Sequence, residues 1–177
     1  MKAILLLCWV SLAMLPNHLT PDPDLASQDS ITVYVFLHES CLISQYYTLP
    51  LREMHEQYAS ENLQFVGLFP NLSSKPAQIK AFQETYQIPF QLKPDYFHQK
   101  MEAFGAAVTP EVVVYNETKQ QILYKGRIDD AYARVGQKKR IVSSSELKDA
   151  LEAIQHDQPI KVAETTAVGC FISPNKL

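Results

Sequence analysis

Of the 177 residues only three are cysteine, five are glycine and one is tryptophan. The five glycines and eleven prolines give the chain no low-complexity character, and no segment repeats. There is no basic excess either: 16 Lys and Arg stand against 19 Asp and Glu, a net charge of -3 at neutral pH. Nucleic acid needs a basic face to neutralise its phosphates, so that partner class is set aside. The apolar run near the N-terminus, Ala3 to Leu15, falls short of the ~20 residues that a membrane-spanning helix needs. The absence that matters most is local. The apolar stretch ITVYVFLH leads into HESCLISQYYTLP, residues 38–50, and puts Cys41 where a strand gives way to a helix. Three positions on, where a second cysteine would complete C-x-x-C, stands Ser44.

With 46% hydrophobic residues the chain can bury one substantial core, and its length suits one domain of ~100–200 residues. Lys2 followed by the apolar run reads as a secretory signal over residues 1–15, which predicts export to the periplasm or the exterior. Cleavage after Ala13 fits this reading; Leu7 is large for a residue preceding a lipid-bearing Cys8. Residues 16–30, rich in Pro, Asp and Ser, form a leader; residues 31–156 form the domain; residues 157–177 form a tail without regular period. Removal of the signal takes Cys8 with it and leaves Cys41 and Cys170, a pair compatible with one disulfide.

Hydrophobic periodicity orders the elements. ITVYVFL (31–37) and LQFVGLF (63–69) read as buried strands. Between them Ile43, Tyr46, Tyr47, Leu51, Met54 and Tyr58 recur at helical spacing, with Pro50 placed to kink that helix. A helix over about 75–86 is predicted with Ser74 as cap and Pro76 in its first turn, then a weak strand in PFQLKPD and a short helix over 96–104 ended by Gly105. Residues 111–115 and 121–128 form a hairpin, and residues 146–156 a last amphipathic helix capped from Ser143 to Ser145. The order β-α-β-α-β-α-β-β-α predicts an α/β fold: a central mixed sheet flanked by helices, parallel at its start and antiparallel at the hairpin.

This arrangement resembles the thioredoxin-like fold with the extra strand-helix insertion of peroxiredoxin-type proteins and exported thiol–disulfide reductases, over Ile31 to His156. The more specific resemblance is to redoxin proteins of the alkyl hydroperoxide reductase and thiol-specific antioxidant group. It is carried by Cys-x-Ile-Ser (Cys41 to Ser44), Thr-Pro-Glu-Val (Thr109 to Val112), Gly-Arg-Ile-Asp-Asp (Gly126 to Asp130) and Gly169-Cys170. The resemblance implies a thiol–disulfide oxidoreductase with Cys41 as nucleophile, working on protein dithiols and disulfides and without an organic cofactor. It implies a cis bond before Pro110 and a backbone edge at Thr109 that holds an extended substrate. It also implies that Arg127, Asp129 and Asp130 border the active face, where Arg127 could stabilise a thiolate or bind a carboxylate.

The residues constrain that chemistry further. Exchange needs a thiolate, and a helix N-terminus favours one through its unpaired N–H groups and its dipole. A protonated His38 adds to this and Glu39 opposes it. Ser44 cannot resolve a mixed disulfide; its hydroxyl can only donate a hydrogen bond to the Cys41 thiolate. An outside thiol or Cys170 must do that work. Cys170 lies fourteen positions after His156, enough at ~3.3 Å each to span tens of ångströms. Reversible exchange between Cys41 and Cys170, a fixed disulfide holding the tail, and two independent thiols all remain open. A peroxidase would need threonine at position 38 and proline at position 34, where this chain has His38 and Tyr34. Two rival classes stand beside the enzyme: a Cu(I) protein using Cys41, Cys170 and His38, a soft ligand set, and a binding module without redox turnover. The sequons at Asn71 and Asn116 bear on the reading only where the host glycosylates.

Overall fold

The computed structural model describes residues 29–173; the expected signal, Cys8 and most of the leader lie outside the described residues. Five strands make the main sheet: β1 (Ile31–Phe36), β2 (Leu63–Phe69), β3 (Gln91–Pro94), β5 (Glu111–Asn116) and β6 (Gln121–Gly126), in the order β3-β2-β1-β5-β6. β1 runs parallel to β2 and β2 to β3, whereas β5 is antiparallel to both β1 and β6. The helices are α1 (Leu42–Tyr58), α2 (Pro76–Thr85), α3 (Gln99–Phe104) and α4 (Glu146–Gln155). The unit α2–β3 adds the strand at one edge of the sheet.

Alternation of side chains along β1 divides the interior into two layers. Val33 and Val35 face the larger one, with Tyr47 and Leu51 of α1 and Leu147 and Leu151 of α4. Tyr34 and Phe36 point the other way, joining Val66, Leu68, Val113 and Phe104. Both faces of the central strands are therefore covered, which is why ITVYVFL carries no polar alternation. α1 continues through Pro50, which offers no N–H to the Tyr46 carbonyl one turn back. Across the layer, the Tyr47 hydroxyl donates to Asp129, whose Oδ1 also accepts from the Ala131 amide at 2.8 Å, and this ties α1 to the loop after β6.

Four short strands lie outside the periodic reading. β4 (Val108–Thr109) pairs antiparallel with β9 (Cys170–Phe171), and β7 (Tyr132–Arg134) pairs with β8 (Gln137–Lys138). The tail expected to lack regular structure is thus part of the fold. Its residues 163–165 pair with Lys125 at the edge of β6, by Lys125 N to Ala163 O and Thr165 N to Lys125 O, each 2.9 Å. Helix starts also differ from expectation. Ser74 gives its hydroxyl to Glu39 instead of capping α2, whose N-cap is Lys75. The α3 helix starts at Gln99, three residues late, after a left-handed His98.

Candidate functional site

The end of β1 delivers the chain to Cys41, the N-cap of α1 in extended conformation, φ -83° and ψ 115°. The Gln45 amide closes the first turn on the Cys41 carbonyl at 2.9 Å, and no acidic side chain stands in that turn to oppose an anion. Cys41 is 1% exposed. Its sulfur meets two backbone segments: the Thr109 carbonyl, to which the Cys41 thiol donates at 3.2 Å, and β9 of the tail.

Cys170 comes from that tail. Thr109 pairs with Cys170 and Val108 with Phe171, while Ile172 N donates to Ala107 O at 3.0 Å and Thr109 Oγ1 to Cys170 O at 3.3 Å. The two cysteines, 129 positions apart, end with Cys170 Sγ–H donating to Cys41 Sγ at 2.6 Å. Both are free thiols in this arrangement. The bond between Thr109 and Pro110 is cis, and Pro110 is buried.

The two sulfurs differ in their hold on a proton. Burial pushes Cys41 up, but hydrogen bonds from the Cys170 thiol and from the amides of Ser44, Cys170 and Ile43 outweigh it, leaving Cys41 below the ordinary thiol value. Burial raises Cys170 to about 11, helped by the bond that it donates to Cys41 and by the charge carried there. Once the pair has lost one proton, these opposite shifts leave the anion on Cys41 and the remaining proton on Cys170. The Thr109 carbonyl works against that anion, and the amides at the helix start counter it.

Ser44 is fully buried and serves the sulfur through its main-chain N–H. Its hydroxyl oxygen instead accepts the His38 amide at 3.3 Å, a correction to the expected hydroxyl contact with Cys41. The His38 ring pairs through Nε2 with Ser73 Oγ at 3.2 Å. The Arg127 guanidinium donates to Glu146 and Ser144 at the start of α4, so its charge is answered by a carboxylate of this chain. Asp129 binds Tyr47, while Lys139 and Ser143 hold Asp130 well below the ordinary carboxylate range. Both aspartates brace loops.

Among the described residues no group of three or more His, Cys, Asp or Glu side chains converges to hold a metal ion. The copper set of Cys41, Cys170 and His38 is therefore not assembled here. Both sequon asparagines are buried, and their amide oxygens accept from the amides of Ser173 and Lys119 at 2.8 Å. Three positions hold the tail in place in ways that the sequence reading did not assign. Asn71 anchors the tail at Ser173, Ile172 is buried in the second layer, and Gly169 passes against the backbone of Thr109. Burial of a side chain such as Ile172 is worth about 1.5–3 kcal/mol. Gly169, as part of a Gly-Cys pair, and Asn71, as part of a sequon, carried sequence signals, and neither signal pointed to the tail.

No family model and no curated protein matches the sequence. Solved structures do. One is an uncharacterized conserved protein from Geobacillus kaustophilus, with TM-score 0.74 and 21% identity over 84% of this chain and 79% of that one. Another is a thioredoxin-like protein in the oxidized form, with TM-score 0.55 and 16% identity over 77% and 85%. A third is a secreted disulfide oxidoreductase from Mycobacterium tuberculosis, with TM-score 0.50 and 14% identity over 71% and 83%. These likenesses show a thioredoxin-like α/β fold, with the mixed sheet and flanking helices described above.

Proposed function

We propose that this chain is a thiol–disulfide oxidoreductase in which Cys41 attacks and Cys170 resolves. One observation carries the reading: two free thiols sit in contact on the edge of the cis-proline strand, with their affinities for a proton displaced in opposite directions. The Cys41 thiolate attacks one sulfur of a target disulfide, forming a mixed disulfide and expelling the other target sulfur as a thiolate, which takes a proton from water. Cys170 then gives its proton to water and attacks the Cys41 sulfur as a thiolate. The Cys41–Cys170 bond forms, the mixed disulfide breaks, and the second target sulfur leaves reduced. Two electrons have passed to the target, and a dithiol partner returns them by the reverse sequence.

Protein thiols suit this site as partners. The chain neighbours of the two cysteines, Leu42 and Phe171, are 75% and 84% exposed and offer apolar surface beside the reacting sulfurs. Among the described residues no helix is long and apolar enough to cross a membrane. Export under the N-terminal signal would place the pair in a compartment where disulfides persist. No organic cofactor is required by this chemistry. We read α2–β3 as the strand-helix addition of the peroxiredoxin-type fold. Peroxidase activity has little support, since the Tyr34 hydroxyl donates to Glu117 at 2.7 Å and the His38 ring is engaged by Ser73.

The test is the full chain carrying Cys170→Ser. Without the resolving sulfur, mixed disulfides with partner proteins should persist and be recovered by non-reducing electrophoresis, as adducts that Cys41→Ser removes. If Cys170→Ser yields no more adduct than the unmodified chain, Cys170 does not resolve.

A further inference from the structure

Thr109 has one free edge, and the tail already occupies it. β9 lies antiparallel to β4, puts its own cysteine on Cys41 and closes the pairing with Ile172 N on Ala107 O. An extended target held at Thr109 would need the same hydrogen bonds and the same position for its sulfur. Resting on the oxidoreductase reading, we propose that residues 169–172 are a resident copy of the target: a polypeptide segment with glycine just before a cysteine and an aliphatic residue two positions after it, which enters by displacing the tail from β4.

Each position of Gly169-Cys170-Phe171-Ile172 meets a different constraint. At 169 a β-carbon would lie 2.2 Å from the Thr109 carbonyl oxygen and 2.6 Å from its carbon, both main-chain atoms that cannot yield as a side chain can. A target crossing the strand in this register therefore needs glycine there. The sulfur at 170 faces Cys41. The side chain at 171 points into solvent, 84% exposed, and is not read. Ile172 turns back under the sheet edge, 8% exposed, into the layer of Phe36, Leu68, Phe104 and Val113, a socket fit for an aliphatic side chain. Beyond it Asn71 Oδ1 accepts the Ser173 amide at 2.8 Å, a contact with backbone that any following residue except proline can make.

The arrangement orders the reaction. The tail must leave before a target docks, and the target's strand must loosen before Cys170 can return. A glycine-cysteine-x-aliphatic segment can replace every contact that the tail makes on β4; other cysteines replace fewer of them and compete poorly.

The experiment uses the full chain with Cys170→Ser, so that Cys41 is the one sulfur of the pair left. The probe is a hexapeptide of the sequence of residues 168–173, its cysteine carried as a mixed disulfide with thionitrobenzoate. Attack by Cys41 on the peptide sulfur forms the protein–peptide disulfide and releases the coloured thiolate. Replacing the peptide's glycine by alanine, or its isoleucine by serine, should each slow the release about tenfold or more, because a filled apolar socket and an unhindered crossing are both lost. Replacing its phenylalanine by alanine should change the rate by less than about twofold. Adding Ile172→Ser to the protein, which unseats the tail, should speed release from the parent peptide; if that variant does not fold, the peptide series decides alone. Equal rates across the series overturn the proposal. The symmetrical thionitrobenzoate disulfide separates the two claims: brisk reaction with it and equal peptide rates reject the resident-copy reading alone. No release from any reagent rejects the oxidoreductase reading, and this proposal with it.

Discussion

Replacing Cys41 with serine should lower disulfide exchange by about 10³-fold or more, since a hydroxyl has neither the acidity nor the nucleophilicity to replace a thiolate and no other sulfur takes its place. Among the described residues Cys170 is the only other cysteine, and with the Cys41 sulfur gone its burial still holds its proton above the ordinary thiol value, so it is a poor substitute nucleophile at neutral pH. The pH dependence of the unmodified chain follows from the same pair. Because Cys41 is lowered, its thiolate is gained below the ordinary thiol value, and the rate of attack on a small disulfide should rise through that lowered midpoint and then level off. A depressed value means that activity is lost as pH falls through it and is retained on the alkaline side. Cys170 stays protonated across this range and so remains the proton donor to Cys41. Rates measured from pH 5 to 10 on the unmodified chain and on Cys41→Ser check both statements. A Cys41→Ser variant with a tenth of the parent rate would move the nucleophile elsewhere.

Gly169→Val should produce the second largest change, at a residue that carries no reactive group. Any β-carbon at 169 collides with the Thr109 carbonyl, and a branched one cannot be absorbed by a small shift of the tail. The strand β9 then leaves β4, and Cys170 becomes the end of a flexible tether. Its effective concentration at Cys41 drops from that of a pair held in contact to the millimolar range of a short flexible linker. Closure of the Cys41–Cys170 disulfide under a fixed oxidant should slow by about 10²-fold. Acid quenching followed by mapping of the alkylated thiols measures this closure directly. The tail residues after 165 should also become open to proteases, while the pairing of residues 163–165 with Lys125 persists. Unchanged closure would mean that the β4–β9 pairing does not bring the sulfurs together.

The parts of the fold legible in the sequence are those whose cause is local. β1 and β2 are runs buried on both faces, α1 repeats its apolar face every third or fourth residue, and Cys41 stands at the junction between run and repeat. Such signals need only neighbours in the chain. β4 and β9, at two residues each, are too short to carry a period, and each exists only because the other is present. The requirement for glycine at 169 depends on a carbonyl sixty residues earlier. Ionic partners follow the same division. Nothing near Arg127 in sequence announces that Glu146 will take its charge, and Ser44 could be seen as incapable of resolving a disulfide without any sign that its hydroxyl turns to His38. Asn71, inside a sequon, has the composition of a surface site, yet the fold buries it under the end of the tail.

The proposed reaction requires that the Cys41 and Cys170 sulfurs lose and regain two electrons together. Equilibrating the full chain with glutathione buffers of graded reduced-to-oxidised ratio, then quenching with acid and mapping each cysteine by mass, measures that couple most directly. A single transition is expected, in which both thiols vanish in step into one internal disulfide and return in step when the buffer is made reducing. Two separate transitions, each ending in a glutathione adduct on one cysteine, would contradict it.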